Sequence, residues 1–272
     1  MAIRSALVNV MAAAALKAAR GMIRDFGEVE QLQVSVKGPG DFVTQADLKA
    51  EKVLKTELSR ARPGYGFLME ESGTTTGTDA RHRWIIDPLD GTTNFLHGIP
   101  QFCISIGLER DGELVAGVIY EPIRDEMFWA EKGQGAYVND RRLRVSARRQ
   151  LNESVIATGI PTIRGNIDRA LYLRTLAAVM GSAVGVRRFG AAALDLAYVA
   201  AGRVDGFWEF GLQPWDMAAG VVLIREAGGY ISGLRDGKHD VMASGDVVAA
   251  NDHLHLPLAA LLKDALKTPA TP

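Results

Sequence analysis

The segment Trp84-Ile85-Ile86-Asp87-Pro88-Leu89-Asp90-Gly91-Thr92-Thr93-Asn94-Phe95 sets two carboxylates three positions apart, after a short apolar run and inside a Pro- and Gly-shaped turn. Small hydroxyl side chains follow at once. Such a turn brings side-chain oxygens, a carbonyl and backbone N–H groups to one point. Carboxylates held this close repel each other unless a cation lies between them, so Asp87 and Asp90 form a candidate hard-metal site. Gly91 to Phe95 reads as the entry to a helical turn, whose free N–H groups suit a phosphate. Asp, Pro, Gly and Asn are also ordinary turn formers. A turn alone accounts for one Asp and the Gly; it leaves the second acid, the two threonines and the Asn unexplained.

Other acids are weaker candidates when taken singly. Glu70-Glu71 follows the apolar run Phe67-Leu68-Met69; neighbours on a strand face opposite ways, so at most one of the two joins a site, and acidic pairs in loops are usually solvated. Asp216, in Pro214-Trp215-Asp216, opens a helix, where an acid complements the dipole and caps free N–H groups. Asp41 and Asp47 flank the start of another helix, Asp41 reading as its N-cap and Asp47 as an exposed first-turn acid. Glu209 interrupts the apolar run Phe207-Trp208-Glu209-Phe210 and either faces solvent by alternation or meets a polar ligand.

What is missing narrows the chemistry. His82, His97, His239, His253 and His255 show no zinc spacing with Cys103, and Cys103 sits in an alternating apolar strand as a buried, inert thiol. The sequence contains no G-x-x-x-x-G-K-[ST] loop, no G-x-G-x-x-G after a strand and no G-x-S-x-G elbow. Carboxylates without His or Cys point to oxygen-coordinated Mg²⁺ or Mn²⁺. Beside a phosphate-binding turn, and with no nucleotide loop, that favours hydrolysis of a phosphate ester.

The elements that must position these residues can be read from periodicity. An amphipathic helix runs to about Phe26, a Gly- and Pro-bearing stretch spans Lys37 to Asp41, and a second helix runs from about Thr44 to Arg60 with Ala46, Ala50, Val53, Leu54 and Leu58 on one face. Strands follow at 67–69, 84–86, 103–108, 115–120 and 127–130, with Asp111-Gly112 and Asn139-Asp140 as hairpin turns of a largely antiparallel sheet. Past about residue 150, strands and helices alternate, with helices at 191–201 and 215–227 and a strand at 205–210 between them. This is a mixed α/β chain in layers, with two halves meeting near residue 150.

Composition sets the outer bounds. The 272 residues are 47% apolar and 23% charged, which excludes disorder and fibrous architecture. With 31 Lys and Arg against 32 Asp and Glu, the net charge of −1 supplies no global field for nucleic acid or membrane, so any charged site is local. Lys17 and Arg20 follow the apolar N-terminal run at helical spacing where a signal peptide would have its cleavage site, and no run of 18 apolar residues spans a membrane elsewhere. One cysteine and no disulfide fit a reducing cytoplasm.

The chain resembles the inositol monophosphatase family of magnesium-dependent, lithium-sensitive phosphatases. The motifs Glu70-Glu71-Ser72, Asp87-Pro88-Leu89-Asp90-Gly91-Thr92-Thr93-Asn94-Phe95 and Trp215-Asp216-Met217-Ala218-Ala219-Gly220 carry the resemblance, in family order over nearly the whole chain. Haloacid-dehalogenase-type phosphatases use D-x-D-G-T where this chain has D-x-x-D-G-T, which argues against an aspartyl-phosphate mechanism.

The resemblance implies an α/β fold of α+β type, a layered α-β-α-β-α sandwich. Its first half, about 1–150, would bind metal and phosphate, and its second, about 151–272, would contact substrate. Two Mg²⁺ ions, replaceable by Mn²⁺, would be held by Glu70, Asp87, the Leu89 carbonyl, Asp90 and Asp216. A third, weaker metal is left open by the short loop from Lys37 to Asp41. Gly91, Thr92 and Thr93 would hold the phosphate with Lys37 nearby, and Glu70 and Thr92, the latter paired to Asp47, would orient the attacking water. Glu209, Gly190, Ala191 and Ala192 would meet the substrate hydroxyls, with Arg187 at their edge.

Inositol-1-phosphate or a similar polyol phosphate is the leading substrate; fructose 1,6-bisphosphate, 3′-phosphoadenosine phosphates and histidinol phosphate are the family's alternatives. The resemblance also implies a homodimer. Some bacterial members bind RNA or the transcription machinery, and here only Arg141, Arg142, Arg144, Arg148 and Arg149 would support that; their plainer reading is a solvated strand face.

Overall fold

A computed structural model describes residues 4–28, 34–38, 41–160, 168–234 and 240–267, over 34–38 and 41–43 by backbone alone. Helix α1 (Ala6–Gly27) starts at Ser5, whose hydroxyl accepts the Val8 N–H. A hairpin of β1 (Val34–Gly38) and β2 (Asp41–Thr44) leads into α2 (Gln45–Ala61). Here the structure corrects two expectations. Asp41 opens β2, and the cap of α2 is Thr44, whose hydroxyl accepts from the Ala46 and Asp47 N–H groups while the Asp47 carboxylate accepts from Thr44 N. This reciprocal box turns Asp47 inward, so it is fully buried and not an exposed first-turn acid.

The chain then builds β3 (Tyr65–Met69), β4 (Gly73–Thr75), β5 (Asp79–Asp90), the short α3 (Thr92–Leu96), β6 (Cys103–Arg110), β7 (Glu113–Glu121), β8 (Glu126–Glu131), β9 (Gly135–Val138) and β10 (Arg141–Arg142). These strands form an eight-stranded sheet in the order β10-β9-β8-β7-β6-β5-β3-β4, antiparallel except where β3 runs parallel to β5. Both expected hairpin turns are present, with Asp111, Gly112 and Asn139 at positive φ.

The second part contains β11 (Val155–Thr158), α4 (Arg169–Met180), β12 (Gly185–Arg187), α5 (Ala192–Ala200), β13 (Gly206–Glu209), α6 (Pro214–Glu226), β14 (Tyr230–Ser232), α7 (Val241–Ser244), β15 (Val247–Ala250) and α8 (His255–Lys267). Its five strands order as β12-β11-β13-β15-β14.

Alternation along the strands sorts side chains between layers. Val118 and Trp129 face α1 and α2, whereas Ile119 and Phe128 face α5 and α6. Helix α5 is buried on every side because it lies between the two sheets with α6, and α4 and α8 cover the outer face of the second sheet. The layers therefore run α1/α2, large sheet, α5/α6, small sheet, α4/α8. Among the described residues α1 alone is long and apolar enough to cross a membrane, and its buried face (Met11, Ala15, Ala18, Met22) packs on α2 and β7.

Candidate active site

The C-terminal end of β5 delivers the first two carboxylates. Asp87 Oδ1 accepts the Leu89 N–H at 2.9 Å, which folds Asp87-Pro88-Leu89 into a tight turn, and the pairing with β6 slips between Asp87 and Asp90. Gly91 then takes φ +94°, where a Cβ would approach the Gln101 carbonyl to 2.9 Å, so the turn tolerates only glycine. Thr92 Oγ1 lies 3.0 Å from the Leu89 carbonyl and 3.2 Å from Asp47 Oδ1. Asp90 Oδ2 accepts the Ala193 N–H at 2.7 Å, tying β5 to the start of α5, and the Cys103 thiol lies 3.7 Å away. Cys103 is buried and its thiol is pushed well above its ordinary range by burial and by Asp90, as an inert thiol would be.

Other segments close in on this turn. Glu70 follows β3, its N–H donating to the Ile86 carbonyl at 3.2 Å. The next two amides, of Glu71 and Ser72, donate to the Glu51 carboxylate of α2 at 3.0 and 3.3 Å. Asp216 lies in the first turn of α6, where Oδ2 accepts the Gln213 N–H at 2.7 Å. Helix α6 reaches the large sheet because a Cβ on Gly107 would meet Ala218 Cβ at 2.6 Å and one on Gly117 would meet the Ala219 carbonyl at 2.5 Å. Ser105 Oγ, on β6, donates to the Trp215 carbonyl at 3.2 Å and anchors the helix start.

The electrostatics show that these acids are mutual neighbours. Burial raises the Asp87 carboxyl well above the usual range, and Glu70, Asp90 and Asp216 raise it further. Burial brings Asp90 up to about 6 against the lowering effect of the Ala193 N–H, and burial together with Asp90 raises Asp216. Asp47 is raised by burial, opposed by its hydrogen bonds from Thr44 and Thr92. Buried like charges of this kind are stabilised by a cation, and an all-oxygen donor set fits a hard divalent ion and no soft one. Among the described residues no group of three His, Cys, Asp or Glu side chains is already disposed to hold a metal ion, and of Glu70, Asp87, Asp90 and Asp216 the last two line the cavity over the turn.

A cavity of about 220 Å³ opens over the turn. It is lined by Asp90, Gly91, Thr92 and Thr93 from the β5–α3 segment, by Asp216 of α6, and by Gly190, Ala191, Ala192 and Glu209 from the second half of the chain. Burial pushes Glu209 up to about 8, aided by Asp90 and opposed by Arg188. Arg187 is not among the lining residues: it is exposed at the end of β12, its guanidinium folded back to the Val186 carbonyl at 3.0 Å, and Arg188 lines the cavity in its place. Consecutive residues leaving a strand point to opposite sides, so a shift of one position exchanges the two arginines. Lys37 falls on β1, and its side chain lies outside the described part of the structure.

Sequence reasoning missed Gly159, Ile160, Arg188 and Leu212 in the lining, and Glu51 behind Glu70. Gly159 lies against the Glu209 carboxylate, and a Cβ there would displace that carboxylate from its present position. Glu51 did carry a signal: it lies one helical turn after Asp47, and both acids share the buried face of α2. Of the arginine cluster, Arg141 and Arg142 lie on β10 and the others in the irregular segment after it; all five are exposed, with Arg148 Nε 3.4 Å from Asp205.

Comparison with known proteins establishes the family and the fold. The chain is 60% identical to an inositol-1-monophosphatase of Mesorhizobium japonicum over 97% of its own length and 98% of the relative's. It is 42% identical to the Nus factor SuhB of Escherichia coli, over 96% of this chain and 97% of that one. A crystal structure of the extragenic suppressor protein suhB from Bartonella henselae superposes with a TM-score of 0.92 at 58% identity, covering 95% of this chain and 99% of the other. The model of the inositol monophosphatase family matches residues 4–267, and with it the motif order and the layered fold agree: the chain belongs to the inositol monophosphatase family.

Proposed function

We propose that this protein is a Mg²⁺-dependent phosphomonoester hydrolase whose leading substrate is inositol-1-phosphate or a similar polyol phosphate. The observation that carries this reading is one cavity whose lining joins Asp90, Thr92, Thr93 and Asp216 to Glu209 and the start of α5. The first group suits a phosphate and its counter-cations; the second suits the hydroxyls of a polyol. The name of the 60% identical relative points to the same substrate. Fructose 1,6-bisphosphate, 3′-phosphoadenosine phosphates and histidinol phosphate remain the alternatives within the family.

In this reading Glu70, Asp87, the Leu89 carbonyl, Asp90 and Asp216 would hold two Mg²⁺ ions, with Mn²⁺ as a substitute, and Lys37 would add positive charge near the phosphate. The ions would lower the pKa of water and neutralise charge on the departing alkoxide. The chain's own residues do the positioning. Gly91, Thr92 and Thr93 hold the phosphoryl group through N–H and hydroxyl donors. Asp47, 3.2 Å from Thr92 Oγ1, draws the threonine proton so that the hydroxyl oxygen accepts from the attacking water, which Glu70 approaches from the other side. Glu209 and the Gly190 to Ala192 backbone hold the leaving group in line with that attack. No covalent intermediate is needed. Location in the cytoplasm and a homodimeric state belong to the same proposal.

The test is phosphate release from inositol-1-phosphate in Mg²⁺, with and without lithium. Asp90→Asn should abolish turnover and lithium should inhibit it; full activity in excess chelator would sink the metal mechanism. A second reading, partner binding through Arg148 and Arg149, is favoured by the 42% identical relative named a Nus factor. Neutralising both arginines should then abolish RNA or transcription-complex binding and spare turnover; an unchanged binding profile removes that reading.

A further inference from the structure

Asn94 is the residue of the phosphate-binding segment to which the reaction assigns no part. It is buried, at 4% exposure. Its amide nitrogen donates to two carbonyls, Gln101 and Phe189, both at 2.8 Å. A primary amide carries two N–H donors, so both are used. Its own backbone carbonyl accepts from His97 N at 3.1 Å and Ile99 N at 2.9 Å, which fixes the chain between α3 and β6. On the far side Gly190 has φ +88°, and a Cβ there would come within 3.1 Å of Asn94 Nδ2 and 2.4 Å of Arg188 Nη1. The amide therefore lies against the segment that carries Arg188, Gly190 and Ala191 into the cavity. Asp cannot substitute, because a carboxylate would set negative charge against two carbonyl oxygens.

We propose that Asn94 is a positioning residue that sets the distance between the phosphate-binding turn at Thr92 and Thr93 and the leaving-group wall at Arg188 to Ala192. The proposal rests on the phosphatase reading above. A substrate that touches both sides depends on that distance, whereas one that fills only the phosphate side does not. A misplacement of about 1 Å is enough to cost on the order of 10²-fold in rate.

The test compares inositol-1-phosphate with phenyl phosphate, whose leaving group has no hydroxyls, in wild type, Asn94→Ala and Asn94→Ser. Hydrogen exchange of the amides at 188–191 is measured in parallel. In Asn94→Ala, kcat/KM for inositol-1-phosphate should fall by about 10²-fold and that for phenyl phosphate by less than about threefold. Exchange at 188–191 should rise while that of α1 stays as in wild type. Equal losses on the two esters, or unchanged exchange at 188–191, overturn the proposal. Asn94→Ser keeps one donor and should give the same pattern at smaller amplitude, which preserves the test if the alanine variant does not fold. If wild type hydrolyses neither ester, the phosphatase reading fails by itself, and exchange alone supports or overturns the coupling.

Discussion

Asp47 links a helix cap to the reaction centre, since one carboxylate oxygen accepts from Thr44 and the other faces Thr92. If the pair acts as one unit, Asp47→Asn and Thr92→Val should each lower kcat by about 10² to 10⁴-fold, and the double variant should be no slower than the worse single. Thermal melting separates this from loss of the cap, which costs about 1 kcal/mol. Asp195 poses a different problem. It is buried in the first turn of α5, neither carboxylate oxygen has a hydrogen-bond partner among the described residues, and burial, then Glu209 and Asp90, raise its carboxyl well above the usual range. For a raised acid, the contribution to stability is complete below the unfolded carboxyl's value, near pH 4, and is lost as pH rises. Asp195→Asn should therefore melt higher than wild type by about 3–8 °C at pH 8, with the gap shrinking towards pH 4; a gap that does not depend on pH would contradict it. Residues whose chemistry is local were legible in the sequence: Asp87, Asp90 and Thr92 lie within one turn. The Asp47–Thr92 contact joins residues 45 positions apart; the family resemblance supplied it, and the structure bears it out, whereas its local signal, the Thr44-x-x-Asp47 box, was misread by assigning the cap to Asp41. The choice between Arg187 and Arg188 depends on the parity at which β12 ends, which no local pattern specifies.

Helix α6 shows how packing between elements places a functional group. Asp216 reaches the other acids because Gly107 and Gly117 let the helix lie almost directly on β6 and β7. Gly117→Ala would drive a methyl into the Ala219 carbonyl, and neither backbone has a flexible side chain that could yield. Overpacking of this kind costs about 1–3 kcal/mol, and the displaced helix would carry Asp216 with it. Both the melting temperature and kcat should fall, and the Mg²⁺ concentration for half-maximal activity should rise. A stability loss with an unchanged metal requirement would separate α6 packing from the site. Strands β3, β5, β6, β7 and β8 of the large sheet could be read in advance because each carries a buried apolar run, whereas the short edge strands β4 and β10 are largely exposed and carry no such run. The hairpin of β1 and β2 could not, because its Gly38-Pro39-Gly40 composition reads as a plain loop, and the identity of its strands comes from pairing with each other. The parallel pairing of β3 with β5 was also hidden, since periodicity carries no strand direction.

At the scale of the whole molecule a net charge of −1 conceals a sharply uneven distribution. Asp87, Asp90, Asp216 and Glu209 all carry carboxyls raised by burial, Asp90 to about 6 and Glu209 to about 8. The sign follows from linkage. Raised acids bind protons more tightly folded than unfolded, so their contribution is complete below about pH 4 and is lost as pH climbs through about 6 to 8. Chelator-treated protein should therefore melt at lower temperature at pH 8 than at pH 5. A bound divalent cation favours the ionised form of the same groups, so Mg²⁺ should remove this slope or reverse it. Mg²⁺ at 100 times its dissociation constant adds about 2.7 kcal/mol per ion, a rise of roughly 5–10 °C for one site in a chain of this size. Asp90→Asn removes one of the repelling charges: the variant should melt above wild type in chelator at pH 8 and lose most of the rise on adding Mg²⁺. Melting curves across pH 5–8, with chelator and with Mg²⁺, read both effects at once. A wild-type melting temperature at pH 8 that Mg²⁺ leaves unmoved would mean that the acidic cluster is not a cation site.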